Sequence, residues 1–378
     1  MKKIAIVAPY KEYNYGTVLQ AYALQHLLES EGVDAKYLQY TSVVPPPLWK
    51  KVLNKITAIY RKFRPQEPVV KNYSLDDYSF FHYPEFKPFV NGYTCFIKER
   101  IKVSKQRYNP LTLSTCNEFD AFMVGSDQTW GEARYLPNTL YFLDGIDNKY
   151  PKLSYAPSIG TTHISDTYLS VLIAKLSKFQ ALSCREKTNC ELLSSKLGRE
   201  VSYVLDPTFM LSADEWGCMA TMPSKPIESK QYILCYILGE KQSISDYAEK
   251  LGVEKGLPIY FIVTRPLYLQ KKHHLFATPE SFLWLIKNAA YVVTDSFHGS
   301  ILSINFNTQF YSFTKRDGSN SVDNDRILEI LSTLNLANRY KDGSTTFEQD
   351  IDFSKVNPIV DYYRKESLSY LRKTINSI

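Results

Sequence analysis

Short apolar runs alternate with stretches of helical period along most of this chain. Residues 4–8 are an unbroken apolar run, as in a strand buried on both faces. After a polar turn at 11–16, Val18, Leu19, Tyr22, Ala23, Leu24, Leu27 and Leu28 recur at helical spacing to Ser30, and Gly32 stops the helix. Residues 35–40 form the next strand. This opening predicts a β-α-β unit, hence a parallel sheet that binds ligands at the carboxyl ends of its strands. The alternation resumes with strands at 120–124, 152–158, 181–184 and 202–205 and helices at 164–179 and 188–197. Ser212 and Glu215 make a capping box that opens a short helix, and residues 222–230, with two prolines, form a linker. A second series predicts strands at 232–238, 259–263, 291–293 and 309–313. Its helices fall at 244–251, at 278–287 (capped by Thr278, with Pro279 first), from the turn at 294–296 to about 306, at 325–334 and at 353–378.

Residues 43–118 interrupt this pattern. Between 50 and 71 lie Lys50, Lys51, Lys55, Arg61, Lys62, Arg64 and Lys71 against the single acid Glu67, with Val52, Ile56, Ile59, Tyr60 and Phe63 interleaved. A basic amphipathic helix in peripheral contact with the inner membrane surface is one reading. A solvated helix packed on its own domain is the favoured one. Residues 72–118 are polar, aromatic and irregular. The predicted fold class is α/β, with two Rossmann-like domains facing across a cleft. The N-terminal domain spans 1–221 with a helical or irregular insertion at about 43–118, the second domain spans 222–350, and a terminal helix occupies 351–378.

Composition changes this picture little. A chain of 378 residues, 44% hydrophobic and 22% charged, has core enough for two domains. The net charge of +6 suits an anionic small molecule, a lipid surface or nucleic acid alike, but no nucleic-acid recognition motif accompanies the basic run. The six cysteines show no CxxC and no metal-ligand spacing, so no metal is expected, and they read as reduced thiols of a cytoplasmic protein. The first apolar run is too short for a signal peptide, and no run of about 18 apolar residues exists to span a membrane.

The candidate chemistry sits in loops that follow strands. Thr294-Asp295-Ser296-Phe297-His298-Gly299-Ser300 passes from a buried strand into a helix, placing His298 beside the N–H groups of a helix start, a site for an anion and a proton transfer. The bland alternative is a capped helix whose histidine bonds a carbonyl. Asn14-Tyr15-Gly16-Thr17 is a turn whose N–H groups suit a polar ligand, with Gln20 one turn on; it lacks the GxGxxG of a dinucleotide site. In Gly125-Ser126-Asp127-Gln128, Asp127 serves as a base or caps the next turn, and Trp130 stacks on a sugar or lies in core. Arg185 suits carboxylate or phosphate, or pairs with Glu186. Asp206-Pro207-Thr208 reads as a structural turn. Lys315, Arg316 and Arg326 are further cations for the same cleft. A Cys184/His298 hydrolase lacks an oxyanion hole and an orienting third residue.

These blocks, in order, resemble the polysaccharide pyruvyl transferase family. They are Asn14–Gln20, Gly125–Trp130, Cys184–Lys187, Leu205–Thr208, Ala289–Gly299 and Asp325-Arg326-Ile327, across roughly residues 3–340. The resemblance implies a fold like that of the GT-B glycosyltransferases. It implies phosphoenolpyruvate as co-substrate with no cofactor, and a sugar or lipid-linked oligosaccharide acceptor that becomes a pyruvate ketal as phosphate leaves. On it, His298 is the acid or alternatively a phosphate ligand, and Asp127 is the second catalytic residue, on the acceptor side. Arg185, Ser296, Gly299, Ser300 and Arg326 face the donor, with Gly299 and Ser300 lending N–H groups; Asn14, Tyr15, Gly16, Gln20, Ser126 and Gln128 face the acceptor. One departure stands out. Some family members carry arginine two residues before the histidine, where this chain has Ser296, which leaves Arg326 or Arg316 to supply the cation. A nucleotide-sugar glycosyltransferase and a non-catalytic glycan- or anion-binding protein are the competing readings.

Overall fold

The computed structural model describes residues 1–41, 83–132, 139–314, 325–341 and 346–378. The basic run at 50–71, and Lys315 and Arg316, lie outside the described residues. In the N-terminal domain, β1 (Lys3–Val7), β2 (Asp34–Tyr40), β3 (Val103–Tyr108), β4 (Ala121–Val124) and β5 (Lys152–Ser154) form a parallel sheet in the order β3-β2-β1-β4-β5. A short pair, β6 (Ser183–Cys184) with β7 (Ser202–Tyr203), lies beyond β5. The C-terminal domain carries β8 (Ile233–Tyr236), β9 (Ile259–Ile262), β10 (His274–Leu275), β11 (Tyr291–Thr294), β12 (Gln309–Phe313) and β13 (Tyr340–Lys341), ordered β10-β9-β8-β11-β12-β13 and again all parallel. Both sheets have the Rossmann order. Each therefore has a switch point, between β1 and β4 and between β8 and β11, where neighbouring loops part and leave room for a ligand.

The helices are α1 (Tyr15–Ser30), α2 (Phe86–Arg100), α3 (Asp166–Leu176), α4 (Lys187–Leu197), α5 (Pro207–Met210), α6 (Ala213–Met219), α7 (Gln242–Lys255), α8 (Pro279–Asn288), α9 (Phe297–Asn305), α10 (Asp325–Thr333) and α11 (Phe353–Asn376). Sheets covered on both faces explain the unbroken apolar runs. In β1, Ile4 and Ile6 enter one core, with Leu24 of α1 and Leu371 of α11, whereas Ala5 and Val7 enter another with Leu172 and Leu193.

A third core joins the domains. Tyr15, Val18 and Leu19 of α1 pack in one apolar cluster with Tyr236, Phe282, Phe297 and Ile301 from the other domain. Tyr15 stacks on Phe282 at 4.1 Å between ring centroids, and its hydroxyl donates to Ala277 O at 2.7 Å. The insertion expectation needs correction here. Described residues 83–108 are not irregular: α2 wedges Phe86, Phe89, Tyr93 and Phe96 into this shared core, and β3 extends the N-terminal sheet. Helix α11 then returns to the N-terminal domain, where Tyr370 donates to Ser154 O at 2.8 Å and Ser367 Oγ accepts from Leu205 N–H at 2.9 Å.

Candidate active site

The loops after β1, β4, β6, β7 and β11 converge between the two switch points. Their centre is the buried carboxylate of Asp206, which follows β7. Its Oδ1 accepts from the Thr208 N–H at 3.0 Å and from Thr208 Oγ1 at 2.7 Å, which caps α5 and fixes the carboxylate. Its Oδ2 accepts from Arg185 Nη1 at 2.6 Å and from Ser126 Oγ at 2.8 Å, and lies 3.6 Å from His298 Nε2. Burial alone would raise the Asp206 carboxyl. His298, Arg185 and the Thr208 hydrogen bonds outweigh it and hold the group ionised, well below the usual carboxylate range.

Arg185 is a buried cation only partly paired. Besides Asp206, its Nε stands 3.7 Å from Glu186 Oε1, yet Nε and Nη2 have no hydrogen-bond partner among the described residues. Glu186 accepts instead from Ser158 Oγ and from Ile159 N–H at 3.3 Å. The Arg185 guanidinium lies 4.4 Å from the ring centroid of Phe297, and Arg326 sits against the same ring at 5.5 Å. The structure thus brings Arg326 into the neighbourhood of the site, where Ser296 supplies no cation.

His298 is buried at the first turn of α9, and its Nε2 has no hydrogen-bond partner among the described residues. The ring presses on the start of α1: a Cβ added at Gly16 would stand 2.1 Å from His298 Nδ1. Gly16 is therefore the position at which the two domains close on each other. Asp127 lies nearby in a left-handed conformation, φ 77°, which aspartate tolerates better than most residues. Its carboxylate accepts from the Gln128 N–H at 2.8 Å and from Thr17 Oγ1 at 3.3 Å, tying the β4 loop to α1. Ser126, expected on the acceptor side, donates to Asp206 instead.

Several other predicted residues turn out to be scaffold. Ser296 caps α9, accepting from Gly299 N–H at 3.3 Å, and Ser300 N–H donates to Ser296 O at 3.1 Å. The two N–H groups expected to assist a donor are thus already used, and those of Phe297 and His298 are what this helix start can offer. Gly299 is required for packing, since a Cβ there would meet Thr294 Oγ1 at 2.7 Å. Ser300 Oγ pairs with Ser312 beneath the helix. Asn14 caps α1, accepting from Thr17 N–H at 3.2 Å. Tyr15 is committed to the domain interface, and Gln20 ties Pro9 O and Thr17 O together at 2.9 and 3.1 Å. Gln128 rests against Gly160, and Trp130 is fully buried core.

Asp206 is the residue that sequence reasoning missed. Its aspartate-proline signal did announce a cap, but nothing local announces Arg185, Ser126 and His298 as its partners. A cavity of about 170 Å³ opens at the carboxyl ends of β1 and β2, lined in part by Tyr10, Lys11, Glu12, Tyr40 and Tyr141, and it includes none of the predicted site residues. A larger one, about 600 Å³, lies between β6–β7 and α11 and includes none of the predicted site residues. Cys184 and Cys190, expected as reduced thiols, lie within reach of a disulfide across the Arg185 loop, with Cα atoms 6.0 Å apart. The end of β6 and the first turn of α4 bring them together.

Among the described residues, no group of three or more His, Cys, Asp or Glu side chains is placed to hold a metal ion, and no helix is long and apolar enough to cross a membrane. A family model described as polysaccharide pyruvyl transferase matches residues 14–315. No curated protein matches the sequence. Solved structures align with this chain at low identity. A putative UDP-N-acetylglucosamine 2-epimerase from Listeria monocytogenes is 9% identical, with TM-score 0.47 over 98% of this chain and 90% of that one. Arabidopsis thaliana UGT89C1 is 11% identical, with TM-score 0.46 over 99% and 94%. The UDP-GlcNAc 2-epimerase of Methanocaldococcus jannaschii is 12% identical, with TM-score 0.44 over 96% and 92%.

Proposed function

This chain belongs to the polysaccharide pyruvyl transferase family, and from that premise we propose that the His298–Asp206–Arg185 cluster takes phosphoenolpyruvate as donor and builds a pyruvate ketal on a sugar. The observation that carries the reading is Arg185. A buried guanidinium with two nitrogens that make no hydrogen bond, beside a His298 Nε2 that makes none either, leaves donors for an anion. Asp206 and Glu186 pair with the guanidinium and hold it in place. Arg326, against the other guanidinium's aromatic support, adds the charge that a phosphate and a carboxylate together require.

The chemistry proceeds in balanced steps. His298 delivers a proton to the methylene carbon of phosphoenolpyruvate, leaving an oxocarbenium-like centre at C2. One sugar hydroxyl attacks C2 and gives up its proton to His298 or Asp127. Phosphate then leaves with the electrons of the C2–O bond, and the second hydroxyl closes the ketal as its proton passes to the departing phosphate. Asp127, held to Thr17 at the start of α1, is the acceptor-side carboxylate. The tyrosines of the smaller cavity offer apolar faces to a sugar ring.

The test is a phosphate-release assay with phosphoenolpyruvate and a panel of sugar acceptors. We expect ketal-forming turnover in the wild type, and in the His298→Gln variant a loss on the order of 10²–10⁴-fold. Absence of turnover, with stabilisation by a uridine-diphosphate sugar rather than phosphoenolpyruvate, would favour a glycosyltransferase.

A further inference from the structure

Helix α10 belongs to the C-terminal domain by its apolar face, where Ile327, Ile330 and Leu331 join the shared core. Its polar face crosses to the N-terminal domain. Asp325 Oδ2 accepts from Thr162 N–H at 2.8 Å and from Thr162 Oγ1 at 2.7 Å. Four residues on, along the same face, Glu329 accepts from the N–H of Lys187 and from that of Thr188 at 3.4 Å. These are the first N–H groups of α4, which have no acceptor within their own helix. Glu186, at the cap position, makes no side-chain cap bond, its carboxylate being turned to Ser158 and Ile159. The start of α4 is therefore capped from the other domain, immediately after Arg185.

We propose that Glu329 is a positioning residue for Arg185: it fixes the start of α4 from across the domain interface, and so sets where the Arg185 loop presents its guanidinium. Asp325 pins the neighbouring loop, whose Thr161 O accepts from Asn189 Nδ2 of α4 at 3.0 Å. The C-terminal domain thereby controls the geometry of the cation that the N-terminal domain supplies. The inference rests on the reading of Arg185 as the donor's anion clamp.

A double-mutant cycle on phosphoenolpyruvate affinity, measured by calorimetry, tests it with Arg185→Lys, Glu329→Ala and the double variant. Glu329→Ala should weaken phosphoenolpyruvate about tenfold, and Glu329→Gln, which keeps an acceptor oxygen, by less than about threefold. The double variant should bind no more weakly than Arg185→Lys alone, because one residue acts through the other. Additive losses would overturn the proposal. Should the wild type not bind phosphoenolpyruvate, the donor reading fails, and amide exchange then decides the positioning claim. Exchange at Lys187 and Thr188 should quicken in Glu329→Ala and stay slow in Glu329→Gln; unchanged exchange in both would overturn it.

Discussion

The loop after β11 and the loops after β4, β6 and β7 are both rich in polar side chains, and they use them in opposite ways. After β11, almost every polar group serves its own domain. Thr294 donates to Tyr236 O at 2.5 Å, Asp295 accepts from the N–H groups of Leu238 and Gly239 at 2.6 and 2.8 Å, and Ser296 caps α9. His298 reaches across, beside the Phe297 ring that lies against Arg185. In the N-terminal domain, Ser126, Arg185 and Asp206 come from three separate loops and bond one another. One side of the site is a rigid mount for a single histidine, and the other is a network of buried charge. A polar motif in sequence therefore says little about which of its members does chemistry.

The comparison breaks most visibly at Asp206. Asp206→Ala leaves Arg185 buried without its carboxylate, and should cost about 3–5 kcal/mol in urea unfolding. The pH dependence follows in sign. The folded carboxyl is held well below its unfolded value near 4, so its contribution is fully present above about pH 4 and is lost as pH falls toward the folded value. The wild type should weaken with acid more steeply than Asp206→Asn. A stability loss for His298→Gln as large as that for Asp206→Ala would erase the distinction between mount and network; we expect a smaller cost, about 1–2 kcal/mol, because Arg185, Ser126 and Thr208 still hold the carboxylate when His298 is gone.

Gly16→Ala probes where the two sides touch. The new Cβ meets the imidazole, and we expect a cost of about 1–3 kcal/mol in thermal unfolding, with loss of turnover exceeding that of an alanine at Gly32, where nothing stands within 4 Å but the backbone is strained. Asp295→Ala strips two N–H groups of their acceptor and should cost about 1–3 kcal/mol, while leaving donor affinity nearly intact. The smallest effect belongs to Tyr15→Phe, which removes one interdomain hydrogen bond worth about 1 kcal/mol and keeps the stack on Phe282.

What was legible in the sequence was local. The capping box of Ser212 with Glu215, the Thr278 cap and the strand at 309–313 all depend on residues within a turn of one another, and all are present. The parallel pairing in each sheet follows from the β-α-β alternation, whereas the strand order does not. The expected helical or irregular insertion did not place helix α2, although Phe86, Phe89, Tyr93 and Phe96 keep helical spacing. Gly92 is where α2 meets Thr278, whose Cγ2 would lie 2.3 Å from an added Cβ. That the N–H groups of Gly299 and Ser300 are already bonded to Ser296 was not legible, since a sequence does not say whether a helix N–H has an acceptor. Asp206 was hidden for a different reason: its partners lie 21, 80 and 92 residues away, at Arg185, Ser126 and His298.

The account turns on whether this buried cluster binds phosphoenolpyruvate, and thermal or chemical unfolding with and without that ligand measures it most directly. At about 100 times its dissociation constant, phosphoenolpyruvate should add on the order of 2.7 kcal/mol to the wild type, and nothing comparable to Arg185→Met at the same concentration. Equal stabilisation of both proteins, or stabilisation by a uridine-diphosphate sugar alone, would contradict it.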